Sequence, residues 1–201
     1  MCEMKDRIIS KATEMFLSLG FKSVTMDDIA GEMGISKKTI YKYFSNKETL
    51  IEEGTNVIKK KINDLMNDIV SNNHNAIKEN FEMRKMFKEM FQTVDHSPAF
   101  QLKKHYPEIY NKMMETEIKE CQTIFSQNVI KGIKEGLYRK NLDVESVVQF
   151  YYTILFSINE NTAFEKEASA LELKALEYHT RAIATEKGVQ ELEKNLNFIN
   201  Q

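Results

Sequence analysis

The segment from Thr25 to Leu50 constrains the fold of this chain more than any other part of its sequence. It reads TMDDIAGEMGISKKTIYKYFSNKETL, which is two short helical patterns on either side of a Gly-Ile turn. Thr25 is suited to cap the first helix, with Asp28 three residues later in a capping-box-like arrangement. Gly34 is suited to end that helix in a left-handed conformation. Because helices this short are unstable alone, the segment predicts a helix-turn-helix packed on a third element.

The residues before this segment supply the third element. Between residues 5 and 19, apolar side chains recur at steps of three and four residues, which is the spacing of one helix face. Gly20 follows the pattern and ends it. The N-terminal part of the chain is therefore predicted to be a three-helix head. The recurring apolar residues of its first helix are Ile8, Ile9, Ala12, Met15, Phe16 and Leu19.

The second helix of the pair carries a concentrated positive charge. Residues 34–47 contain four lysines and no acidic residue, although the whole chain has a formal net charge of −2. A basic patch confined to one small surface is suited to phosphate contacts. A lysine run is often only a solvated helix face, but its place in a helix-turn-helix, interleaved with Tyr41 and Tyr43, favours DNA binding. The lysines are Lys37, Lys38, Lys42 and Lys47.

A longer set of positions in the head resembles a known family. The pattern is Ala12-x-x-x-Phe16-x-x-x-Gly20-Phe21-x-x-Val24-Thr25-x-x-x-Ile29-Ala30-x-x-x-Gly34-Ile35-Ser36, then Thr39-Ile40-Tyr41-x-Tyr43-Phe44-x-x-Lys47-Glu48-x-Leu50. Over about a fifth of the chain it resembles the DNA-binding domain of the TetR family of bacterial one-component regulators. Lys38 departs from the family, which often has glycine at this position.

The resemblance implies DNA-binding roles for nine residues. The hydroxyl groups of Thr25 and Ser36 are expected at phosphates, and Lys38 and Thr39 are the candidates for contacts with base edges. For Tyr43, half-burial in the core of the head is an equally open alternative. The full predicted set is Thr25, Ser36, Lys37, Lys38, Thr39, Tyr41, Lys42, Tyr43 and Lys47.

Composition argues against several other classes of protein. The sequence lacks an apolar run of the roughly 18 residues that a membrane span requires, and its N-terminus has no apolar signal core. Two cysteines far apart in the chain suit a reducing compartment. The four histidines have no metal-like spacing, and neither a glycine-rich phosphate loop nor a nucleophile motif is found. We therefore expect a cytoplasmic protein, not an enzyme, without cofactor or metal.

The remainder of the chain predicts further helices and no strands, so the predicted fold class is all-α. The head is expected to comprise residues 1–46, and a helical effector-binding and dimerisation domain residues 47–201. Thr185 is a candidate cap for a short final helix. The predicted helices after the head span about residues 46–71, 75–94, 100–105, 107–134 and 144–164, with a last pattern from 169 that is interrupted at 184–188.

In the TetR family the second domain binds a small effector, and the resemblance implies the same here. Eleven methionines and many aromatic residues suit an adaptable pocket, although core packing is the alternative for each residue taken singly. Charged runs such as residues 165–167 are interpreted as solvated helix faces. Because few charges fall among the candidate lining residues, an apolar or amphipathic effector is expected. The candidate lining residues are Met86, Met90, Phe91, Phe100, Tyr106, Tyr110, Met113, Met114, Phe125, Tyr152 and Phe156.

The helix predicted over residues 144–164 is apolar around most of its circumference and must be buried over most of it. Family members dimerise through their last two long helices, and a four-helix interface across a two-fold axis fits this pattern. Such a dimer places two recognition helices about one DNA turn, ~34 Å, apart and requires a palindromic site. The predicted interface residues are Val148, Phe156, Leu171 and Leu176.

Together these features predict a ligand-responsive repressor that binds a palindromic DNA operator as a homodimer and is released by a small molecule. An activator or a ligand-independent regulator of the same fold is the first alternative. A helical scaffold that has lost DNA binding is the second, and the retained lysines and Tyr41 argue against it.

Overall fold

The computed structural model describes the backbone of residues 2–199 and the side chains of residues 3–115 and 121–197. The side chain of Cys2, one of the two cysteines, lies outside the described residues. Within the described backbone the regular elements are α-helices, which confirms the all-α prediction. They are α1 (Cys2–Leu19), α2 (Met26–Met33), α3 (Lys37–Tyr41), α4 (Lys47–Ser71), α5 (Ala76–Phe91), α6 (Pro98–His105), α7 (Pro107–Lys134), α8 (Val144–Asn161), α9 (Glu165–Ile183) and α10 (Glu186–Ile199).

The helix-turn-helix has the caps that its sequence predicts. The Asp28 backbone N–H donates to Thr25 Oγ1 at 3.1 Å, and the Thr25 backbone N–H donates to the Asp28 carboxylate at 2.8 Å. Gly34 ends α2 with φ of 62°, a left-handed conformation that glycine adopts without steric cost. Ser36 then caps α3 by accepting from the Thr39 N–H at 3.1 Å. Local side chains therefore fix the angle between the two helices.

The core of the head extends beyond its three helices. Ile8, Phe16, Ile29, Ile40 and Phe44 are almost completely buried between α1, α2 and the segment around α3. The same cluster continues into α4, α6 and α7, so the packing of the head does not stop at residue 46. The continuing residues are Leu50, Ile51, Leu102 and Tyr110.

Helices α5, α7, α8, α9 and α10 enclose a second core. It includes Val129, Tyr138, Leu176 and Leu192, which are all almost fully buried. Thr185 accepts from the Gly188 N–H at 3.2 Å, which confirms its predicted role as the cap of the last helix. Among the described residues, no helix combines the length and apolar character that a bilayer crossing requires.

Several helix boundaries differ from the prediction, and those of α6, α8 and α9 do so for identifiable reasons. Helix α8 ends at Asn161 and α9 begins at Glu165, because the intervening backbone pairs with the segment before α6. The Ser97 N–H donates to the Ala163 carbonyl, and the Glu165 N–H donates to the Asp95 carbonyl, each at 3.0 Å. Helix α6 begins at Pro98, earlier than expected, since proline is compatible with the first helical position.

Candidate functional site

The exposed surface of the helix-turn-helix carries most of the predicted DNA-binding residues. Ser36, Lys38, Tyr41 and Lys42 are exposed on α3 and its flanks. Neither Lys38 nor Lys42 makes an ion pair within the part of the chain that the structure describes. Both ammonium groups are therefore available to phosphates, and Tyr41, which is 46% exposed, lies beside them.

Lys37 is exposed but already paired. Its Nζ lies 2.8 Å from Asp27 Oδ1, and the hydrogen bond to Asp27 raises the pKa of Lys37. The ammonium also lies 5.9 Å from the ring centroid of Tyr41. This pair links the start of α2 to α3 and neutralises part of the positive patch.

The predicted hydroxyl groups take part in helix capping. Thr25 Oγ1 donates to Asp28 Oδ2 at 2.7 Å, and this bond lowers the pKa of Asp28. The hydroxyl groups of Ser36 and Thr39 lie 2.8 Å apart. These hydrogen bonds stabilise the helix-turn-helix, so the three hydroxyl groups would contact DNA while they remain bonded within the head.

Lys47 and Tyr43 are more closely tied to the head than the sequence indicates. Lys47 is half-buried, and its ammonium donates to the Lys22 carbonyl at 3.1 Å. The ammonium also lies 5.8 Å from the ring centroid of Phe16 and 5.7 Å from that of Tyr106. Tyr43 is half-buried against the core of the head. Lys47 therefore joins the head to the helices that follow it.

A cavity of about 250 Å³ lies in the second domain. It is surrounded by α4 to α9 and reaches Phe21 of the head. Its walls are mainly apolar and aromatic, which is usual for small-molecule sites. Six of the eleven predicted residues line it: Phe91, Met113, Met114, Phe125, Tyr152 and Phe156.

The other five predicted lining residues do not line this cavity. Tyr110 is buried in the core of the head and donates from its hydroxyl to Glu160 at 2.8 Å. The Tyr106 hydroxyl donates to the Phe21 carbonyl at 3.2 Å, outside the cavity wall. Met86, Met90 and Phe100 are half-buried elsewhere on α5 and α6. Composition alone does not distinguish these residues from the lining ones, because the difference depends on which helix face turns inward.

The sequence interpretation missed the polar part of the cavity wall. Glu165, interpreted as part of a solvated helix face, lines the cavity together with Glu172, which lies on the same face of α9 two turns later. The seven-residue spacing between these glutamates was the available signal. The other polar lining residues are Thr55, Asn80, Arg84 and Asn159.

Burial changes the proton affinity of the charged lining residues. Burial raises the pKa of Glu165 to about 7, with the nearby Glu172 carboxylate as a further cause. Burial also raises the pKa of Glu172, although Asn159 Nδ2 donates to its Oε1 at 2.7 Å. The Arg84 guanidinium donates to the Ser169 carbonyl at 2.8 Å, and burial lowers the pKa of Arg84.

Helix α6 joins the cavity to the head. Pro98, Ala99 and Leu102 line the cavity, and Gln101 Oε1 accepts from the Phe21 backbone N–H at 3.0 Å. Phe21 belongs to the core of the head, where it is 2% exposed, and it also lines the cavity. The cavity wall is therefore in direct contact with the head, and a change in the shape of the wall would act on the head through Phe21.

The structure corrects the predicted dimer interface. Val148 and Leu176 are 3% and 1% exposed because both pack into the core of their own chain, so neither offers a surface to a second chain. Phe156 is half-buried and lines the cavity. Leu171 is 43% exposed on α9 and is retained. Two larger rings on the same two helices are more exposed, Phe150 at 66% and Tyr178 at 69%.

Comparison with known proteins identifies the head. Residues 8–53 match the family model described as bacterial regulatory proteins, tetR family. The matched range contains the whole helix-turn-helix and its caps.

The head is a TetR-family DNA-binding domain.

Relatives of the chain are TetR-family transcriptional regulators rather than enzymes. The biofilm operon icaADBC negative transcriptional regulator IcaR of Staphylococcus aureus (strain Newman) is 27% identical over 137 residues, which are 68% of this chain and 67% of IcaR. The transcriptional repressor KstR2 of Mycolicibacterium smegmatis is 26% identical over 153 residues, 73% of each chain. The crystal structure of a transcriptional regulator from Cytophaga hutchinsonii shares the fold, with a TM-score of 0.73 and 21% identity over 90% of this chain and 98% of that one.

Proposed function

We propose that this TetR-family protein is a repressor that binds a palindromic operator as a homodimer and is released when a small molecule occupies its cavity. The names of two relatives, a negative regulator and a repressor, support repression over activation. Contacts within the head, the exposed face of α8 and α9, and the position of the cavity support the remaining parts of the proposal.

DNA binding is assigned to the exposed surface around α3. Lys38 and Lys42 are the cations best placed for phosphates, since Lys37 pairs with Asp27 and Lys47 donates to the Lys22 carbonyl. Such contacts give affinity and orientation, whereas side chains that reach base edges give sequence preference. Tyr41, which is exposed beside these lysines, is assigned to the groove or to the backbone.

Dimerisation is assigned to α8 and α9. Phe150 and Tyr178 are among the most exposed large apolar side chains of the described residues, and Leu171 adds to them. Aromatic residues at such exposure are enriched in protein interfaces. A two-fold pairing of these helices is the arrangement that presents both heads to one palindromic site.

The observation that carries ligand response is the double role of Phe21. The same ring packs in the core of the head and lines the cavity, while α6 contributes both cavity wall and the Gln101 contact to Phe21. A ligand acts as an effector only if it binds one arrangement of the head more tightly than the other. A ligand that occupies the cavity next to Phe21 would differ in affinity between the two arrangements of the head, because Phe21 belongs to the core of the head.

The test begins with DNA selected by the purified protein from a random pool. The expected result is an inverted repeat whose half-sites are about one turn, ~10 base pairs, apart. Placed within a promoter, the selected site should lower reporter expression when the protein is present, and Tyr41→Ala should relieve that repression. Enrichment of a site without internal symmetry, or a rise in expression, would contradict the proposal.

A further inference from the structure

The cavity has a polar end built by α5, α8 and α9. On α9, Glu165, Ser169 and Glu172 recur at steps of four and three residues and therefore share one face. Arg84 on α5 contacts this face by donating to the Ser169 carbonyl, and Asn159 on α8 does so by donating to Glu172. The opposite walls are mainly apolar and aromatic.

The polar end contains two carboxyl groups and one guanidinium group. Arg84, Glu165 and Glu172 are the charged side chains that line the cavity among the described residues. One guanidinium faces two carboxylates, and no ion pair joins Arg84 to either glutamate in the described part of the chain. The second carboxyl group is therefore left without a cation. Because a buried charge is costly unless it is paired, this group takes up a proton readily, and a cation bound beside it would stabilise its ionised form.

A second and independent feature of the wall is an unsatisfied acceptor on Asn80. This residue lines the cavity and is 5% exposed, and its Oδ1 has no hydrogen-bond partner. Its Nδ2 donates to Asn128 Oδ1 at 3.0 Å and to the Tyr138 hydroxyl at 3.3 Å. The amide oxygen is thus the part of Asn80 that remains for a molecule in the cavity.

Neighbouring residues fix the orientation of this amide. Asn128 Nδ2 donates to the Ala76 carbonyl at 2.9 Å and to Glu79 at 2.6 Å, so Asn128 Oδ1 must face Asn80 as an acceptor. Glu79, which is itself buried, is held by Lys131 at 2.6 Å. Because a rotated Asn80 amide would place two acceptor oxygens against each other, its Oδ1 stays unpaired. A buried acceptor without a partner is costly, and a ligand that donates a hydrogen bond relieves that cost.

From these two features we infer that the cavity binds an amphipathic organic cation, a protonated amine on an apolar chain, with its ammonium at Glu165, Glu172 and Asn80. The amine donates N–H groups to the two carboxyl groups and to Asn80 Oδ1, which otherwise lacks a donor. Its positive charge also favours the ionised form of the carboxyl group that no cation pairs. Aromatic rings that line the cavity, including Tyr151, Tyr152 and Phe156, add favourable contacts with a cation. The cavity has a volume of about 250 Å³. Sites for drug-sized molecules begin at roughly 300 Å³, so the cavity selects a small amine.

The inference names the class of ligand for the proposed function. Only the effect of that ligand on DNA binding rests on the proposed function. A carboxylate ligand on Arg84 is the rival, because Arg84 Nε also lacks a partner. Three probes with one chain length and different head groups separate the cases: octylamine, octanoate and 1-octanol. Binding is measured by calorimetry on the full chain in the absence of DNA.

Octylamine should bind at least about tenfold more tightly than octanoate or 1-octanol, which is the ratio expected from one hydrogen bond to a charged group. Glu172→Gln and Glu165→Gln should each remove most of that preference. Glu167→Gln is the matched control, since Glu167 is an exposed glutamate on the same helix. Equal affinity for the three probes, tighter binding of octanoate, or no binding of octylamine would overturn the inference.

A separate measurement tests the proposed function. Once octylamine binding has been established, the affinity for the selected DNA is compared with and without octylamine. Octylamine that binds the cavity and leaves DNA affinity unchanged contradicts the proposed ligand response but leaves the assignment of the cavity intact. Failure of octylamine to bind contradicts the assignment of the cavity alone.

Discussion

Gln101 on α6 accepts a hydrogen bond through its side-chain oxygen from the backbone N–H of Phe21, at 3.0 Å. The two residues lie in different parts of the sequence, one beside the cavity wall and one in the core of the head. We expect Gln101→Leu to lower the free energy of unfolding by about 1–3 kcal/mol, because a buried N–H loses its acceptor. The same change should weaken the effect of a bound ligand on DNA affinity.

Urea denaturation and DNA titration with and without ligand measure the two effects of Gln101→Leu. Gln127→Leu is the control, since Gln127 is exposed on α7. If Gln101→Leu retained the full effect of ligand on DNA affinity, this hydrogen bond would have no part in coupling.

Removal of Lys42 should weaken DNA binding alone, whereas removal of Lys47 should also lower the stability of the protein. Lys42→Ala is expected to weaken binding to operator and random DNA alike and to reduce the slope of log affinity against log salt by about 0.9, the loss of one phosphate contact. Lys47→Met should in addition lower the free energy of unfolding by about 1 kcal/mol, since the ammonium binds the Lys22 carbonyl. Salt titrations and urea denaturation of both variants test the contrast. Equal stability of the two variants would argue against the joining role of Lys47.

Lys38 and Thr39 stay the candidates for base contacts. If they reach base edges, Lys38→Ala and Thr39→Ala should change the preferred sequence rather than affinity for all DNA, with ~1–3 kcal/mol of discrimination at the affected base pair. Repeating the selection from a random pool with each variant measures this. Unchanged preferences in both variants would place the sequence readout elsewhere on the head.

The exposed rings of α8 and α9 should control assembly. Phe150→Asp or Tyr178→Asp is expected to give monomers with native helical content and weaker DNA binding, because a charge replaces an apolar contact at the interface. Analytical ultracentrifugation and circular dichroism report the two properties. Val57→Asp is the control, since Val57 is 47% exposed on α4. By contrast, Val148→Asp and Leu176→Asp should unfold the chain, because both positions are buried within it.

His179 should make stability depend on pH. Burial lowers its pKa to about 4, below the ~6.5 of an unfolded chain, so the unfolded state takes up the proton first as the pH falls. The stability that depends on neutral His179 is present above about pH 6.5 and is lost as the pH falls toward 4. Glu165 contributes with the opposite sign, since its raised pKa makes protonation favour the folded state.

The contribution of His179 is measured as a difference between two proteins. Between pH 7 and pH 4, wild type should lose up to about 3 kcal/mol more unfolding free energy than His179→Gln. The comparison cancels the contribution of Glu165, which is common to both. Parallel curves of unfolding free energy against pH would show that His179 is not held neutral by its contact with Tyr151 and the surrounding core.

The head was predictable because its determinants are local. Thr25 and Asp28 cap the start of α2, and Gly34 ends it in a left-handed conformation, as the sequence predicts. Each of these residues acts on backbone groups only a few positions away. Helix spacing likewise identified the long helices, since the helical period requires no knowledge of what each helix packs against.

The polar end of the cavity was not predictable by the same means. Glu165 and Glu167 have nearly the same sequence surroundings, and only the packing of α9 against α5 turns one inward and leaves the other exposed. Val148 was assigned to the interface for a related reason: an apolar side chain has the same sequence signal in a core and in an interface. The intrachain contacts of Lys47 were not predictable either, because the Lys22 carbonyl and the Tyr106 ring become its neighbours only in the folded chain.

The shared position of Phe21 also limits how this protein can diverge. A substitution there that reshapes the cavity repacks the core of the head at the same time. Under the proposed function, ligand choice and DNA affinity are therefore expected to change together at this residue. Glu165 and Glu172 lie on α9, outside the core of the head. Gene duplicates that acquire new effectors while keeping their operators are therefore expected to differ first on α9 and last at Phe21.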